Sequence, residues 1–157
     1  FNSKWSLSAE EGFLTTAEMV LDNNADTYNL GGYLHTALEK YGVYLLGEKR
    51  LSNIGLFGQV AWAPKSDNDI YSQIDAGINL YHLFFDDRED ALGLAFTSNL
   101  LKDMVNSHET VIELTYKLPV YGNFYVQPDF QYVINPSGTG VKLDDAFVAM
   151  VRFGFEL

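Results

Sequence analysis

The sequence contains no cysteine, which excludes a disulfide framework and any metal site built from thiolates. Positive charge is also scarce, with 10 Lys and Arg against 21 Asp and Glu and a net charge of −11. Nucleic-acid binding requires a basic surface, so we expect no nucleic-acid partner.

No segment approaches the ~20 consecutive apolar residues of a membrane helix. The first residues lack the charged start and apolar run of a signal peptide. We therefore interpret the chain as either a mature product or a piece of a longer protein, and we favour the second interpretation.

Aromatic residues and glycine are abundant, at 15% and 13 residues of 157. This composition, with average hydropathy, favours an all-β protein over a helical one. Neither an alternation of strands with helices nor a low-complexity linker is visible. A chain of this length can form one domain, so we assign residues 1–157 to a single domain.

Residues 123–136, NFYVQPDFQYVINP, alternate between an apolar and a polar parity, as a strand with two different faces does. The apolar parity carries Phe124, Val126, Phe130 and Tyr132, and the polar parity carries Tyr125, Gln127, Asp129 and Gln131. Pro128 interrupts the pattern because it has no N–H for the ladder. We expect it at a bulge or at a strand end.

The same alternation, bounded by turn-forming residues, recurs along the chain. It predicts nine strands, at 13–22, 28–37, 41–51, 54–63, 69–81, 91–101, 108–118, 123–136 and 146–157. Residues 3–8 alternate as well and are a candidate tenth strand. The short stretch PVYG, 119–122, is predicted to be a connection between strands.

Strands of about ten residues with alternating polarity are typical of a transmembrane antiparallel β-barrel, whose tilted strands cross the hydrocarbon core. All backbone groups must be paired there, so such a sheet closes on itself. A soluble ligand-binding barrel remains an alternative, in which the apolar parity would point inward. With the C-terminus in the periplasm, outward aromatic residues fall near both membrane surfaces, as interfacial girdles do. Those residues are Phe124, Tyr116, Phe153 and Phe155 at one rim and Trp62, Tyr132 and Phe147 at the other.

An ordered series of segments resembles the C-terminal half of the carbohydrate-selective porins of the OprB type. The segments are GFLTTAEMVL (12–21), YNLGGYLHTA (28–37), YGVYLLGEKRL (41–51), IGLFGQVAWAP (54–64), ETVIELTYKL (109–118), YVQPDFQYVINP (125–136) and DDAFVAMVRFGFEL (144–157). The resemblance implies a bacterial outer-membrane channel for passive sugar diffusion, in contact with outer-membrane lipid and inserted by the barrel-assembly machinery. It also implies a barrel of about sixteen strands. The terminal stretch, with Phe at alternate positions, resembles a bacterial barrel-assembly signal, although Leu157 stands where that signal usually has an aromatic residue.

Two explanations account for the nine or ten strands. The chain is a fragment of a porin, which we favour, or a reduced barrel closed by residues 3–8. A non-conducting outer-membrane barrel with a structural or adhesive role is the alternative function.

No catalytic or metal-binding spacing stands out: His35, His82 and His108 have no matched partners, and we expect no enzyme activity and no cofactor. The polar parity supplies side chains that can bond sugar hydroxyls, and its tyrosines can stack on a pyranose ring. The candidate lumen-wall residues are Gln73, Asp75, Asn79, Glu113, Lys117, Tyr125, Gln127, Asp129, Gln131 and Arg152, with Tyr71 and Glu156 beside them. Asp129 and Glu113, on adjacent strands, are the strongest candidates for sugar contacts. By side-chain type alone, these residues fit a wall that merely holds water equally well.

Overall fold

The protein is described by a computed structural model. The description covers residues 12–23, 26–65, 69–85, 88, 90–102, 105–137 and 141–155. The candidate strand at 3–8 and the residue Glu156 lie outside these ranges. No helix in the described part of the chain is long and apolar enough to cross a membrane.

Nine antiparallel strands form a single sheet in which each strand pairs with its neighbours in sequence. The strands are β1 (Leu14–Asp22), β2 (Asp26–His35), β3 (Lys40–Leu51), β4 (Ile54–Trp62), β5 (Ile70–Tyr81), β6 (Ala91–Leu101), β7 (His108–Tyr121), β8 (Phe124–Ile134) and β9 (Ala146–Phe155). The all-β prediction and the predicted order of nine strands are confirmed. Among the described strands, β1 and β9 are not paired with each other, so the sheet is open.

The two parities of each strand form two chemically distinct faces of the sheet. On the apolar face, large side chains are strongly exposed, with Ile74 at 50% and Leu94 at 49%. Within the described ranges, Ala63 and Leu101 are the only buried hydrophobic residues. A soluble barrel would enclose its apolar face as a core. This sheet has no such core, and its large exposed apolar surface requires an apolar environment.

The connections define two rims of the sheet. We call the edge that carries the turn at Gly122 and Asn123 the lower rim, and the opposite edge the upper rim. Apolar-face aromatic rings pair near both rims, as predicted. Phe124 and Phe153 stack at a centroid distance of 6.3 Å near the lower rim, and Tyr41 and Trp62 meet edge to face at 6.4 Å near the upper rim.

Strand β7 is longer than predicted. The alternation indicated an end near Leu118 with PVYG as a connection, but β7 continues to Tyr121 and the turn shrinks to Gly122 and Asn123. The register between β7 and β8 shifts between Pro119 and Tyr121. This bulge lets a proline lie in the strand, because the irregular ladder does not need its missing N–H.

Pro128 lies neither at a bulge nor at a strand end, contrary to expectation. β8 keeps one register with β7 on both sides of it, from the Thr115–Asp129 pair to the Leu118–Val126 pair. The hydroxyl of Thr115 donates to the Pro128 carbonyl at 3.2 Å. This side-chain bond satisfies the backbone where the proline interrupts the ladder.

Candidate functional site

The polar face of β7, β8 and β9 carries a connected group of charged and amide side chains. Arg152 donates to the Oδ2 of Asp129, which has no exposed surface. The same guanidinium lies 3.9 Å from Glu113 Oε1, and Gln131 donates to Glu113 Oε2 at 2.9 Å. The three strands bring these residues together because Glu113 is registered with Gln131, and Gln131 adjoins Asp129 on the same face.

Of the two residues that the sequence favoured for sugar contacts, Glu113 is partly exposed and Asp129 is not. Asp129 is enclosed, and among the described residues its Oδ1 has no hydrogen-bond partner. The Arg152 side chain is 47% exposed and that of Glu113 is 27% exposed. Arg152 and Glu113 are therefore the accessible members of this ion-pair group, while the enclosed Asp129 holds the guanidinium.

A second polar pair extends the group towards the lower rim. Gln127 donates to the Thr115 hydroxyl at 2.8 Å, the same hydroxyl that donates to the Pro128 carbonyl. Gln127 is registered with Arg152 on β9. The Gln127 amide thus helps to hold β8 against β7 on the polar face.

Three further predicted polar residues, Gln73, Asp75 and Asn79, lie on β5. Gln73 donates to Asp75 Oδ2 at 2.8 Å, and Asn79 lies on the same parity, opposite Gly93. Among the described residues, Asp75 Oδ1 and Asn99 Oδ1 are buried oxygens without a hydrogen-bond donor. Asn99 is registered with Gln73. It was missed as a candidate, although its parity on β6 could have indicated it.

A strip of small side chains separates the two polar groups. Strand β6 lies between β5 and β7, and its polar face presents Gly93, Ala95 and Thr97 to the gap. Ala95 is registered with both Gly77 and Glu113. We call this strip the trough, with β5 on one bank and β7 with β8 on the other. The backbones of β5 and β7 lie two strand spacings apart, about 10 Å.

The two tyrosines predicted to stack on sugars each have a lysine at the ring. Lys117 Nζ lies 4.8 Å from the Tyr125 ring centroid, and Lys65 Nζ lies 4.9 Å from that of Tyr71. Cations are attracted to the faces of aromatic rings. A pyranose that stacks on Tyr125 must therefore displace Lys117 or share the ring with it.

The upper part of the polar face on β2 to β5 contains a cavity of about 180 Å³. Tyr33, Tyr44, Gln59, Tyr71 and Gln73 contribute to its lining. Arg50, near the lower rim, lies over the Tyr81 ring with its Cζ 4.1 Å from the centroid. Arg50 and Gln59 were not predicted as wall residues, although the alternation of β3 and β4 places both on the polar face.

The β5–β6 connection at the lower rim is built around a second fully buried carboxylate, Asp90. It accepts hydrogen bonds from the Tyr116 hydroxyl at 2.8 Å and from the amides of Phe84 at 3.1 Å and Phe85 at 3.4 Å. Burial raises the pKa of Asp90, but these hydrogen bonds outweigh it and hold the pKa below the usual 3.8. His82 is part of the same connection, since its Nδ1 lies 3.1 Å from the Arg88 carbonyl oxygen.

At the upper rim, His108 contributes to the anchoring of the β8–β9 connection. Its Nε2 lies 2.9 Å from the side-chain Nδ2 of Asn135. The backbone N–H of Asn135 donates to Asp145 Oδ1 at 3.0 Å. Glu109 accepts from the amide of Ser137 at 2.7 Å. In the described part of the chain, no group of three His, Asp or Glu residues could hold a metal ion.

Comparisons with known proteins agree with this architecture. The model of the carbohydrate-selective porin, OprB family, matches residues 15–157. A solved structure, the high-pH structure of Pseudomonas putida OprB, is similar with a TM-score of 0.80 and 17% identity. The similarity covers 91% of this chain and 48% of that chain, so this chain spans about half the length of that structure. No curated protein matches the chain. The predicted barrel fold is confirmed, and the chain belongs to the OprB family of carbohydrate-selective porins.

Proposed function

We propose that this chain forms part of the wall of an outer-membrane channel through which sugars diffuse passively. The observation that carries the proposal is the contrast between the two faces of the sheet. One face exposes large apolar side chains to its surroundings, and the other presents hydrogen-bonded acids, amides and guanidinium groups. Lipid outside and water inside satisfy both faces at once.

The open sheet supports a channel that is completed by strands outside this chain. Strands β1 and β9 both leave an edge unpaired among the described residues. Unpaired backbone groups are too costly in the hydrocarbon core to remain so. The solved OprB structure, of which this sheet covers 48%, supports closure by a comparable number of further strands. This proposal keeps the fragment hypothesis and replaces the compact ten-stranded barrel.

The trough offers a path for a hydrated sugar. Glu113, Gln131 and Arg152 on one bank, and the partly exposed Gln73 and Asn79 on the other, supply donors and acceptors for hydroxyl groups. The backbones of the two banks are about 10 Å apart, and a pyranose ring between them would form hydrogen bonds to their side chains. Weak bonds of this kind replace hydration without retaining the solute, and no covalent step occurs.

The direction of the chain in the membrane follows from its rims. We propose that the lower rim, with its two-residue turn at 122–123, faces the periplasm, because turns on that side of such barrels are short. The stacked rings of Phe124 and Phe153 then lie at the periplasmic membrane surface. The last strand, with Phe153 and Phe155 on one face, would be the segment that the assembly machinery engages.

Liposome swelling tests the proposal. The complete porin, with the strands that close this sheet, is reconstituted in liposomes. The entry of a monosaccharide is compared with that of an amino acid of similar size. We expect faster entry of the sugar, and we expect Glu113→Ala to reduce the ratio of the two rates. Glu48→Ala is the matched control, because Glu48 lies on the polar face of β3, away from the trough.

Two results would contradict this function, and a third would exclude the carboxylates proposed to carry it. Equal entry of sugar and amino acid would remove the selectivity. Membrane-inserted protein that gives no swelling would favour a non-conducting barrel with a structural or adhesive role. An unchanged ratio in both Glu113→Ala and the Asp129→Ala, Glu113→Ala double variant would exclude these carboxylates from the mechanism.

A further inference from the structure

Aromatic rings on the polar face lie directly over glycines of the neighbouring strand. A Cβ added at Gly31 would lie 2.3 Å from Tyr44 Cζ, and one at Gly154 would lie 2.1 Å from Tyr125 Cζ. Real Cβ atoms do not approach other atoms so closely. The rings therefore occupy the space that a side chain on the partner strand would fill.

These contacts recur across the sheet. Four such pairs on the polar face are Tyr33 on Gly42, Tyr44 on Gly31, Phe57 on Gly77 and Tyr125 on Gly154. In each pair the two residues are directly opposite in the strand register. A side chain on a strand ordinarily stands away from the sheet. Here the glycine lets the ring lie along the sheet instead.

We infer that these glycines set the bore of the channel by holding aromatic rings flat against its wall. The inference rests on the proposed function, because it takes the polar face as the lumen wall. A ring that lies flat removes little of the lumen, whereas the same ring standing upright projects into it. The width of the path is then controlled by glycines that do not touch the solute.

The Tyr44 ring shows how the flat position is fixed at both ends. Glu18, Gly31 and Tyr44 lie in one row across β1, β2 and β3. The Tyr44 hydroxyl crosses over Gly31 and donates to Glu18 Oε2. The three heavy atoms nearest to a Cβ at Gly31 all belong to the Tyr44 side chain. An added methyl group therefore clashes first with the far end of one flexible side chain.

The displaced ring can move only away from the wall. The Cβ of an alanine at position 31 fills the space between the sheet and the Tyr44 ring. Tyr44 must leave its bond to Glu18 and rotate into the lumen. The barrel itself can remain folded, because the clash is relieved at the far end of a side chain.

The test is single-channel ion conductance in planar bilayers. The protein used is the complete porin, in which further strands close this sheet. We expect Gly31→Ala to conduct less than the native protein and to slow disaccharide entry more than monosaccharide entry. Tyr44→Ala in the Gly31→Ala background should restore conductance to at least the native value. Gly58→Ala should conduct normally, because Gly58 is on the apolar face and its added Cβ meets only Asp75 O, at 3.5 Å.

The same logic applies to the second pair. If Gly31→Ala does not fold, as shown by loss of heat-modifiable migration, Gly154→Ala and its Tyr125→Ala double variant replace it. Native conductance in the folded glycine variant would overturn the inference. So would an equal loss in Gly58→Ala, or a double variant that conducts no better than the single one.

Failure of the proposed function gives a different result. Ion conductance requires only an open lumen, whereas the proposed function requires sugars to enter faster than amino acids. A native channel that conducts ions without favouring sugars would contradict the function but leave the effect of Gly31→Ala on conductance intact.

Discussion

The guanidinium of Arg152 donates to the carboxylate of Asp129, a group with no exposed surface, and so joins β9 to β8 on the polar face. A buried carboxylate without a partner is strongly destabilising. The pair therefore has a structural role in addition to its place on the polar face.

Arg152→Met should destabilise the protein. Breaking a buried ion pair costs about 3–5 kcal/mol, and we expect a value near the lower limit because the Arg152 side chain is 47% exposed. Equilibrium unfolding in urea measures the loss. The Arg152→Met, Asp129→Asn double variant should recover part of it, because no buried charge is left alone. A single variant as stable as the native protein would contradict the account.

The connection anchored by Asp90 should stay closed until the medium is strongly acidic. Because hydrogen bonds hold the pKa of Asp90 below 3.8, its contribution to stability is present above that pH and is lost as the pH falls through the folded pKa. Hydrogen exchange at the Phe84 and Phe85 backbone amides, corrected for intrinsic rates, measures whether the connection stays closed. We expect constant protection from neutral pH down to about pH 4.

The control for this prediction is Asp90→Ala, which removes the acceptor for both amides. Its protection should be low at every pH. Loss of protection in the native protein between neutral pH and pH 5 would show that another group anchors the connection.

Adjacent residues on β8 provide a direct test of the two faces. Phe130 lies on the apolar face and is 44% exposed, and Gln131 lies on the polar face. Phe130→Arg should cost about 2–4 kcal/mol in a bilayer, as an arginine near the midplane does on a lipid-facing strand. Gln131→Arg should cost far less, because water solvates its charge. Folding titrations in lipid vesicles compare the two, and equal costs would contradict the assignment of the faces.

The strands were predictable because period-two alternation is a local property of the chain. Segments such as 54–63 and 91–101 agree with β4 and β6 to within a residue. The alternation failed at Pro119, where a bulge extends β7 beyond its regular pattern. It also could not show that Pro128 would be accommodated through the Thr115 hydroxyl.

The contacts between strands were not predictable in the same way. The position of Tyr44 over Gly31 and the burial of Asp129 both depend on which residues face each other across strands. Register is set by the whole sheet and its turns, not by one segment. The sequence thus indicated which side chains share the polar face, while their pairing and exposure required the structure.

The absence of cysteine makes a single introduced thiol a clean probe of the central claim. The measurement is sugar-driven liposome swelling by Gln131→Cys before and after reaction with a bulky, charged thiol reagent, with Phe130→Cys as its control. We predict that the reagent slows sugar entry through Gln131→Cys and leaves Phe130→Cys unchanged. Unaltered swelling in a labelled Gln131→Cys protein, or blockage at Phe130→Cys alone, would contradict a sugar path along the polar face.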